Sequence, residues 1–255
     1  MTARIPAAER TLAILQALAA AQGPVTAVGL ARELGIPRST VYQLLDVLAA
    51  RGFVTHLPDD RRWRLGLTAF EVGSAYLRRD PIERVAQPLL RSLVDSAPIP
   101  VVAHLGVVEG HETVYLLKEQ SDRLVTTVTE VGVRLPAALT ASGRAILAGL
   151  PRAQVRAQLS ARGAFVDRTG RGPQSLSALH ALLVKERRLG HAEEDGFITD
   201  GQASVAVAVM RDHEPVAAVG LTFRAEDADA KQRARLGAAV SRCGEDISHR
   251  LAGGT

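Results

Sequence analysis

Polar residues gather at the start of one segment with helical periodicity, residues 37 to 48. Its apolar side chains recur at i, i+3, i+4 and i+7, which places them on one face: Val41, Leu44, Leu45 and Leu48. The opposite face opens with guanidinium, hydroxyl and amide groups: Arg38, Ser39, Thr40, Tyr42 and Gln43. An arginine can neutralise a phosphate or read guanine, a glutamine can pair with adenine, and hydroxyls can bond phosphate oxygens. These residue types predict that the helix contacts double-stranded DNA.

The preceding residues supply the turn that such a helix needs. Gly35 stands four residues after Ala31, and Val41 stands ten residues after Ala31. This spacing is typical of a helix-turn-helix, because a small residue lets two helices cross closely and glycine adopts the positive φ of a sharp turn. Pro37 suits the first position of the second helix. Thr26 is the predicted N-cap of the first helix and a further predicted DNA contact. An ordinary amphipathic helical hairpin is the alternative.

A short hairpin with basic residues comes next. Gly52 is expected to end the helix in a left-handed cap. Residues 53 to 55 are strand formers, and residues 57 to 60 have the composition of a turn. In the returning strand, Trp63 and Leu65 are expected to face the core. Three arginines at or beside the hairpin tip are placed for the sugar-phosphate backbone, with a solvated turn as the alternative: Arg61, Arg62 and Arg64.

The remaining periodicity predicts two domains and a linker. With a first helix from about Ala7 to Ala21, residues 1–66 are predicted to form a winged helix-turn-helix. Residues 67–80 are a predicted linker helix that ends before the break at Asp80-Pro81. Residues 81–255 mix strands and helices without a regular βαβ repeat, which indicates an α+β domain. Its predicted helices cover residues 82–97, 140–150, 151–159, 175–190 and 227–251, and its predicted strands cover 101–108, 112–119, 123–131, 205–211 and 216–224.

Composition agrees with a cytoplasmic DNA-binding protein. Ten arginines against seven acidic residues give residues 1–80 a net charge of +3, whereas 21 basic and 20 acidic residues give residues 81–255 a net charge of +1. The single cysteine, Cys243, excludes an intrachain disulfide and fits a reducing compartment. We find no cleavable signal and no apolar run of membrane-spanning length, so no membrane partner is expected.

Neither catalytic nor metal chemistry has a strong signal in this chain. Residues 191–195 and 212–214 contain possible metal ligands, but they lack the i, i+4 histidine pair of a zinc helix. The chain has no Gly-x-Ser-x-Gly elbow and no glycine-rich phosphate loop with lysine. We therefore expect no metal, no cofactor and no enzymatic activity. An enzyme remains the alternative from a different class, and a ligand-free dimerisation module is a third.

Several motifs resemble, in order, those of IclR-family transcriptional regulators. They are ERTLAIL at 9–15, LARELGI at 30–36, STVYQLL at 39–45, RGFV at 51–54 and LPAALTASGRA at 135–145, with residues 190–222 resembling the family's final signature region. The resemblance covers almost the whole chain. It implies a C-terminal effector-binding domain similar to GAF domains, and a homodimer that assembles to a homotetramer. It also implies a regulator, most often a repressor, whose operator affinity changes when a small molecule binds.

The resemblance also implies where the effector binds. Small residues open the helix after Thr140, and their free N–H groups can hold a carboxylate or carbonyl oxygen: Ala141, Ser142 and Gly143. A plain capped helix start is the alternative. Glu194 stands where the family usually has aspartate, Ser204 where many members have cysteine, and Gly220 and Thr222 where glyoxylate-type sensors have serines. Because Gly220 lacks a hydroxyl, we expect a ligand larger or less polar than a short keto acid, such as an aromatic acid or related amide.

Overall fold

The computed structural model describes residues 5–79, 82–121, 129–160 and 163–253. The chain divides into two compact units, Met1–Asp80 and Pro81–Thr255. Each unit has its own hydrophobic core, so each is described by itself. No helix within the described ranges is both long and apolar enough to cross a membrane.

The first unit is a helix-turn-helix with a three-stranded wing. In chain order its elements are α1 (Pro6–Ala20), β1 (Val25–Thr26), α2 (Ala27–Leu34), α3 (Arg38–Ala50), β2 (Val54–Leu57), β3 (Arg62–Leu65) and α4 (Leu67–Arg79). The strands pair antiparallel in the order β1-β3-β2. The core between helices and wing is made by Ile14, Leu30, Val41, Leu45 and Trp63. Pairing of β1 with β3 ties the wing to the start of α2.

The local signals of this unit are confirmed with two differences. Gly35 takes φ 64° and ψ 28° directly after α2, and the Thr26 side chain accepts a hydrogen bond from Gly29 N at 3.1 Å. Pro37 is the N-cap of α3 and not its first residue. The expectation that Leu65 faces the core is wrong, because 38% of Leu65 is exposed. Leu65 is the last residue of β3 and pairs with the buried Val54, but its side chain stays partly exposed where the chain leaves the sheet for α4.

The second unit is built on a six-stranded antiparallel sheet. Its elements are α5 (Ile82–Asp95), β4 (Val102–Glu109), β5 (Glu112–Gln120), β6 (Arg134–Pro136), α6 (Ala141–Gly149), α7 (Arg152–Gln158), α8 (Leu176–Leu189), β7 (Ala192–Asp195), β8 (Gln202–Arg211), β9 (Glu214–Arg224) and α9 (Ala230–Ala252). The sheet order is β6-β5-β4-β9-β8-β7. The predicted α+β class is thereby confirmed.

Strand alternation divides the apolar side chains of this unit between the two faces of the sheet. Residues of α5 and α9 pack with one set of strand residues, which includes Val205, Val219 and Leu221. The alternate set, Ala206 and Ala218, packs with Ala141, Ala145 and Ile146 of α6. Small side chains on the second face let α6 approach the sheet closely, which brings its first turn next to β9.

Parts of the second unit differ from the sequence prediction, and one predicted strand lies mostly outside the described residues. Residues 192–195 form β7, a strand that the sequence prediction did not include. Helix α9 begins at Ala230 rather than Asp227, because Asp229 caps it reciprocally with Gln232. Most of the strand predicted over residues 123–131 lies outside the described residues.

Candidate functional site

Helix α3 presents a polar, exposed face at its first two turns. Val41, Leu45 and Leu48 are buried on the inner side. The predicted DNA contacts of this helix lie on the outer side, where Arg38, Ser39, Tyr42 and Gln43 are exposed and Thr40 is half-buried. Arg38 and Tyr42, and likewise Ser39 and Gln43, are four residues apart and so are neighbours along the helix surface. The first turn of α3 has no acidic residue, so nothing in that turn repels a phosphate.

The wing arginines are exposed but do not share one role. Arg62 donates from Nη1 to the carbonyl oxygen of Pro24 at 3.1 Å, so part of its guanidinium holds the wing against the residue before β1. Arg61 stands at the tip with φ 50°, and Arg64 is exposed on β3.

Thr26 already accepts the capping bond from α2, which leaves its hydroxyl hydrogen for another acceptor. The ring centroid of the buried Trp63 lies 4.4 Å from that of His56, and this contact stabilises the hairpin.

The second unit encloses a polar cavity between the start of α6 and the sheet. Six of the seven residues predicted to bind an effector are among the described residues that line it: Ala141, Ser142, Glu194, Ser204, Gly220 and Thr222. The seventh, Gly143, is not among them. A Cβ added at Gly143 would lie 2.4 Å from the carbonyl oxygen of Ala137 and 2.5 Å from Thr113 Oγ1. Because Gly143 has no Cβ, the first turn of α6 can lie close to Ala137 and Thr113.

Hydrogen bonds fix the polar walls of this cavity. Thr140 caps α6 through Gly143 N at 3.0 Å and bonds Thr113 Oγ1 at 2.9 Å. On the opposite side, the hydroxyls of Ser204 and Thr222 are 3.0 Å apart. The 4% exposed Glu194 accepts from the backbone N–H groups of Phe197 at 2.6 Å and Ile198 at 3.3 Å. Burial raises the pKa of Glu194, because desolvation disfavours its charged form.

Strands β4 and β5 add lining residues that the sequence prediction omitted. His104 and Tyr115 lie with ring centroids 5.0 Å apart, and Thr129 Oγ1 is 2.6 Å from His104 Nε2. Burial and the nearby Lys118 lower the pKa of His104 to about 3, so the imidazole is neutral at physiological pH. Burial also raises the pKa of Tyr115 above its usual range. Neither residue belongs to a recognisable sequence motif. The pairing of β4 with β5, and not their spacing in the chain, brings both to the cavity.

A buried ion pair supports the wall that carries Glu194. Arg144 is fully buried in α6 and donates from Nε to Glu186 Oε1 of α8 at 2.9 Å. Its Nη1 donates to the carbonyl oxygens of Ala138 at 3.2 Å and Leu139 at 2.9 Å, and its Nη2 donates to that of Glu193. The guanidinium thus ties α6 to the strand residue before Glu194. Sequence reasoning missed this role, because an arginine two residues after Ser142 reads as a surface side chain.

The cavity is narrow in this structure. The space open to the centre of a water molecule is about 20 Å³, which is room for about one or two waters. A Cβ at Gly220 would lie 2.9 Å from Ser142 Oγ, so the missing side chain brings the Ser142 hydroxyl close to β9 and leaves little extra room. Entry of a larger ligand would require the walls to separate. Within the described ranges, no three His, Cys, Asp or Glu residues are grouped so as to hold a metal ion.

Together, the exposed α3 face, the basic wing and the buried polar cavity are the parts of a DNA-binding regulator with a ligand-binding domain. Two family models match the chain: the IclR helix-turn-helix domain over residues 7–58 and the bacterial transcriptional regulator IclR C-terminal over residues 74–249. The chain belongs to the IclR family of bacterial transcriptional regulators, as its motifs predicted.

Relatives of known name or structure span most of this chain. It is 28% identical over 224 residues to the transcriptional repressor IclR of Escherichia coli K12, which covers 87% of this chain and 81% of that protein. The crystal structure of Thermotoga maritima IclR matches with a TM-score of 0.75 and 25% identity, covering 96% and 98% of the two chains. An IclR homolog from Microbacterium hydrocarbonoxydans, solved with 4-hydroxybenzoate, matches with a TM-score of 0.81 at 22% identity, covering 96% and 98%.

Proposed function

We propose that this regulator is a repressor that releases its operator when a small organic acid or amide enters the cavity beside Ser142. The observation that carries the DNA-binding half is the exposed start of α3, where Arg38, Ser39, Tyr42 and Gln43 stand beside a basic wing. The effector half is supported by six predicted residues that line one buried polar cavity. The Escherichia coli relative is a transcriptional repressor, which favours repression for this protein.

The proposed active form is a homodimer that assembles to a homotetramer. We also propose that its effector-binding domain is GAF-like. A single winged helix touches few bases, so pairing two readers on a pseudo-palindrome strengthens recognition. Two recognition helices would then enter successive major grooves about 34 Å apart. The effector shifts operator affinity by the difference between its affinities for the two arrangements of the protein, and by no more. An aromatic acid is the favoured effector class, supported by the ligand of the Microbacterium homolog and by the lower polarity, rather than any extra room, at Gly220.

Substitution of Arg38 tests the DNA-binding half. We expect Arg38→Ala to weaken binding to fragments from upstream of the protein's own gene by about tenfold or more, because one good contact to a base or phosphate contributes roughly 1–3 kcal/mol. Fluorescence anisotropy at physiological salt measures the Kd. Arg156→Ala on the exposed surface of α7 removes the same charge away from the reader and should leave the Kd unchanged. Equal Kd values for Arg38→Ala and the wild type would remove Arg38 from the interface.

The alternative of a dimerisation module without a ligand is tested by thermal unfolding. A ligand that binds the folded state stabilises it by RT ln(1 + [L]/Kd), whereas a bare scaffold gains nothing. We expect 4-hydroxybenzoate or another acid of a panel to raise the Tm of the second unit. The panel should extend from two-carbon keto acids to aromatic acids. A response to glyoxylate or pyruvate alone would contradict the aromatic class.

A further inference from the structure

The described part of the cavity wall carries a carboxylate without a matching cation. Among the described residues that line it, Glu194 is the one acidic side chain, and lysine and arginine are absent. Glu194 is 4% exposed, so solvent screens its charge little. An organic acid that enters as an anion would therefore place a second negative charge beside the first.

Two cations of the described residues act on side chains of the cavity, and both are already bonded to other partners. Arg144 directs its guanidinium at Glu186 and at the carbonyl oxygens of Ala138, Leu139 and Glu193. Lys118 pairs with Glu130 at 2.5 Å. Because these bonds would have to break before either cation met a ligand, neither is positioned to neutralise an incoming carboxylate.

The other groups that face Glu194 do not change this balance of charge. Ser204 of β8 contributes a hydroxyl within hydrogen-bonding range, and Tyr115 of β5 contributes a phenol that stays protonated. His104 of β4 lines the same cavity as a neutral ring. The positive charge of Arg144 on α6 is balanced by the negative charge of Glu186 on α8, which is buried beside it. With Lys118 paired to Glu130 as well, the net charge of the described groups is that of Glu194 alone.

We infer that the cavity selects a ligand that adds no net charge to it: an amide, or an organic acid that takes up one proton from solvent on binding. This inference rests on the proposed effector site and specifies its ligand class. Two carboxylates that share a buried cavity cannot both ionise cheaply, so the pair retains one proton between them. The balance is simple: effector anion, protein and one proton combine to give the complex. Because burial raises the pKa of Glu194, this side chain is the one expected to hold the shared proton.

Matched acids and amides test the inference on the full-length chain. We would titrate 4-hydroxybenzoate against 4-hydroxybenzamide, and pyruvate against pyruvamide, by isothermal titration calorimetry between pH 5.5 and 9. Repeating each titration in two buffers of different ionisation enthalpy measures proton uptake directly on the wild type. Once free Glu194 is ionised, the Kd of the acid should rise about tenfold per pH unit with uptake of one proton. The Kd of the amide should stay level.

Two neighbouring acids give a matched pair of variants. Glu194→Gln should make the Kd of the acid independent of pH, because no second carboxylate shares the proton. Glu193→Gln changes an exposed side chain that bonds His191 outside the cavity, and the pH dependence should remain. The number of protons that the wild type takes up on binding is measured without any variant. It therefore tests the inference even if Glu194→Gln fails to fold.

Distinct outcomes separate this inference from the proposed function. Acid binding at constant Kd up to pH 9, with no proton taken up, would overturn the inference and leave the effector site standing. If neither acids nor amides bind while the operator is still bound, the proposed small-acid effector is wrong and the inference falls with it. Proton uptake that persists undiminished in Glu194→Gln would assign the proton to another group and also overturn the inference.

Discussion

At the scale of single residues, the cavity shows how burial decides the charge of a polar side chain. His104 and Glu194 are both nearly inaccessible to solvent, and burial disfavours the charged form of each. The pKa of the histidine falls to about 3, whereas the pKa of the glutamate rises. Both shifts have the same cause, because burial opposes the formation of charge in the cavity walls.

The His104 shift predicts a pH dependence of stability. Its folded pKa of about 3 lies below the unfolded value of 6.5, so the unfolded state binds a proton first as pH falls. Stability is fully present above pH 6.5 and is lost between pH 6.5 and 3, by at most about 1.4 kcal/mol per pH unit. The free energy of unfolding of wild type minus that of His104→Asn should therefore fall between pH 6 and 4.

Urea denaturation at several pH values makes this measurement. His249→Asn, on the exposed side of α9, controls for the loss of a histidine as such. Comparison with a variant is needed because the raised carboxylates Glu186 and Glu194 act with the opposite sign. They favour the folded state as pH falls towards 4.5. A difference between wild type and His104→Asn that is constant with pH would contradict a buried neutral imidazole.

At the scale of elements, helix α6 depends on close contact with the segment before it. A Cβ at Gly143 would overlap the Ala137 carbonyl, and the surrounding residues are buried and cannot move aside. We expect Gly143→Ala to lower the free energy of unfolding of the second unit by roughly 1–3 kcal/mol. The same change at Gly73 in α4 meets open space, so Gly73→Ala should stabilise its helix by about 0.5–1 kcal/mol. Denaturant titration of both variants checks the opposite signs.

The elements that local chemistry determines could be predicted from the sequence, and those that distant pairing determines could not. The turn at Gly35, the caps at Thr26 and Thr140, and the outer face of α3 follow from residues within one helical turn. Strand β7 was missed because one of its two buried residues is Glu194, so apolar alternation is absent. His104 and Tyr115 were missed for a related reason: the pairing of β4 with β5, and not a spacing in the chain, brings them to the cavity.

At the scale of the whole molecule, exposed apolar side chains on α4 point to self-association. Leu67 and Phe70, three residues apart on one side of this helix, are each 70% exposed. Covering a phenylalanine contributes roughly 1.5–3 kcal/mol. If a second copy covers this side, Phe70→Ser should raise the dimer Kd at least about tenfold and weaken operator binding in parallel. Sedimentation velocity over a range of concentrations measures the change.

A neighbouring polar substitution controls for general damage to the helix. Glu71→Gln alters an exposed side chain of the same turn and should leave the dimer intact. Unchanged sedimentation of Phe70→Ser would place the dimer contact elsewhere. In that case the apolar side of α4 would need another partner.

The acidic strand β7 has a further consequence, for solubility. It ends the described sheet beside β8, where an open strand edge would invite a second molecule to extend the sheet by backbone pairing. Two buried side chains already occupy the backbone in the middle of this edge, because Glu193 donates its N–H to Glu186 and its carbonyl oxygen accepts from Arg144. The buried ion pair therefore also blocks sheet extension at β7. Loss of that pair should become visible as turbidity on prolonged storage.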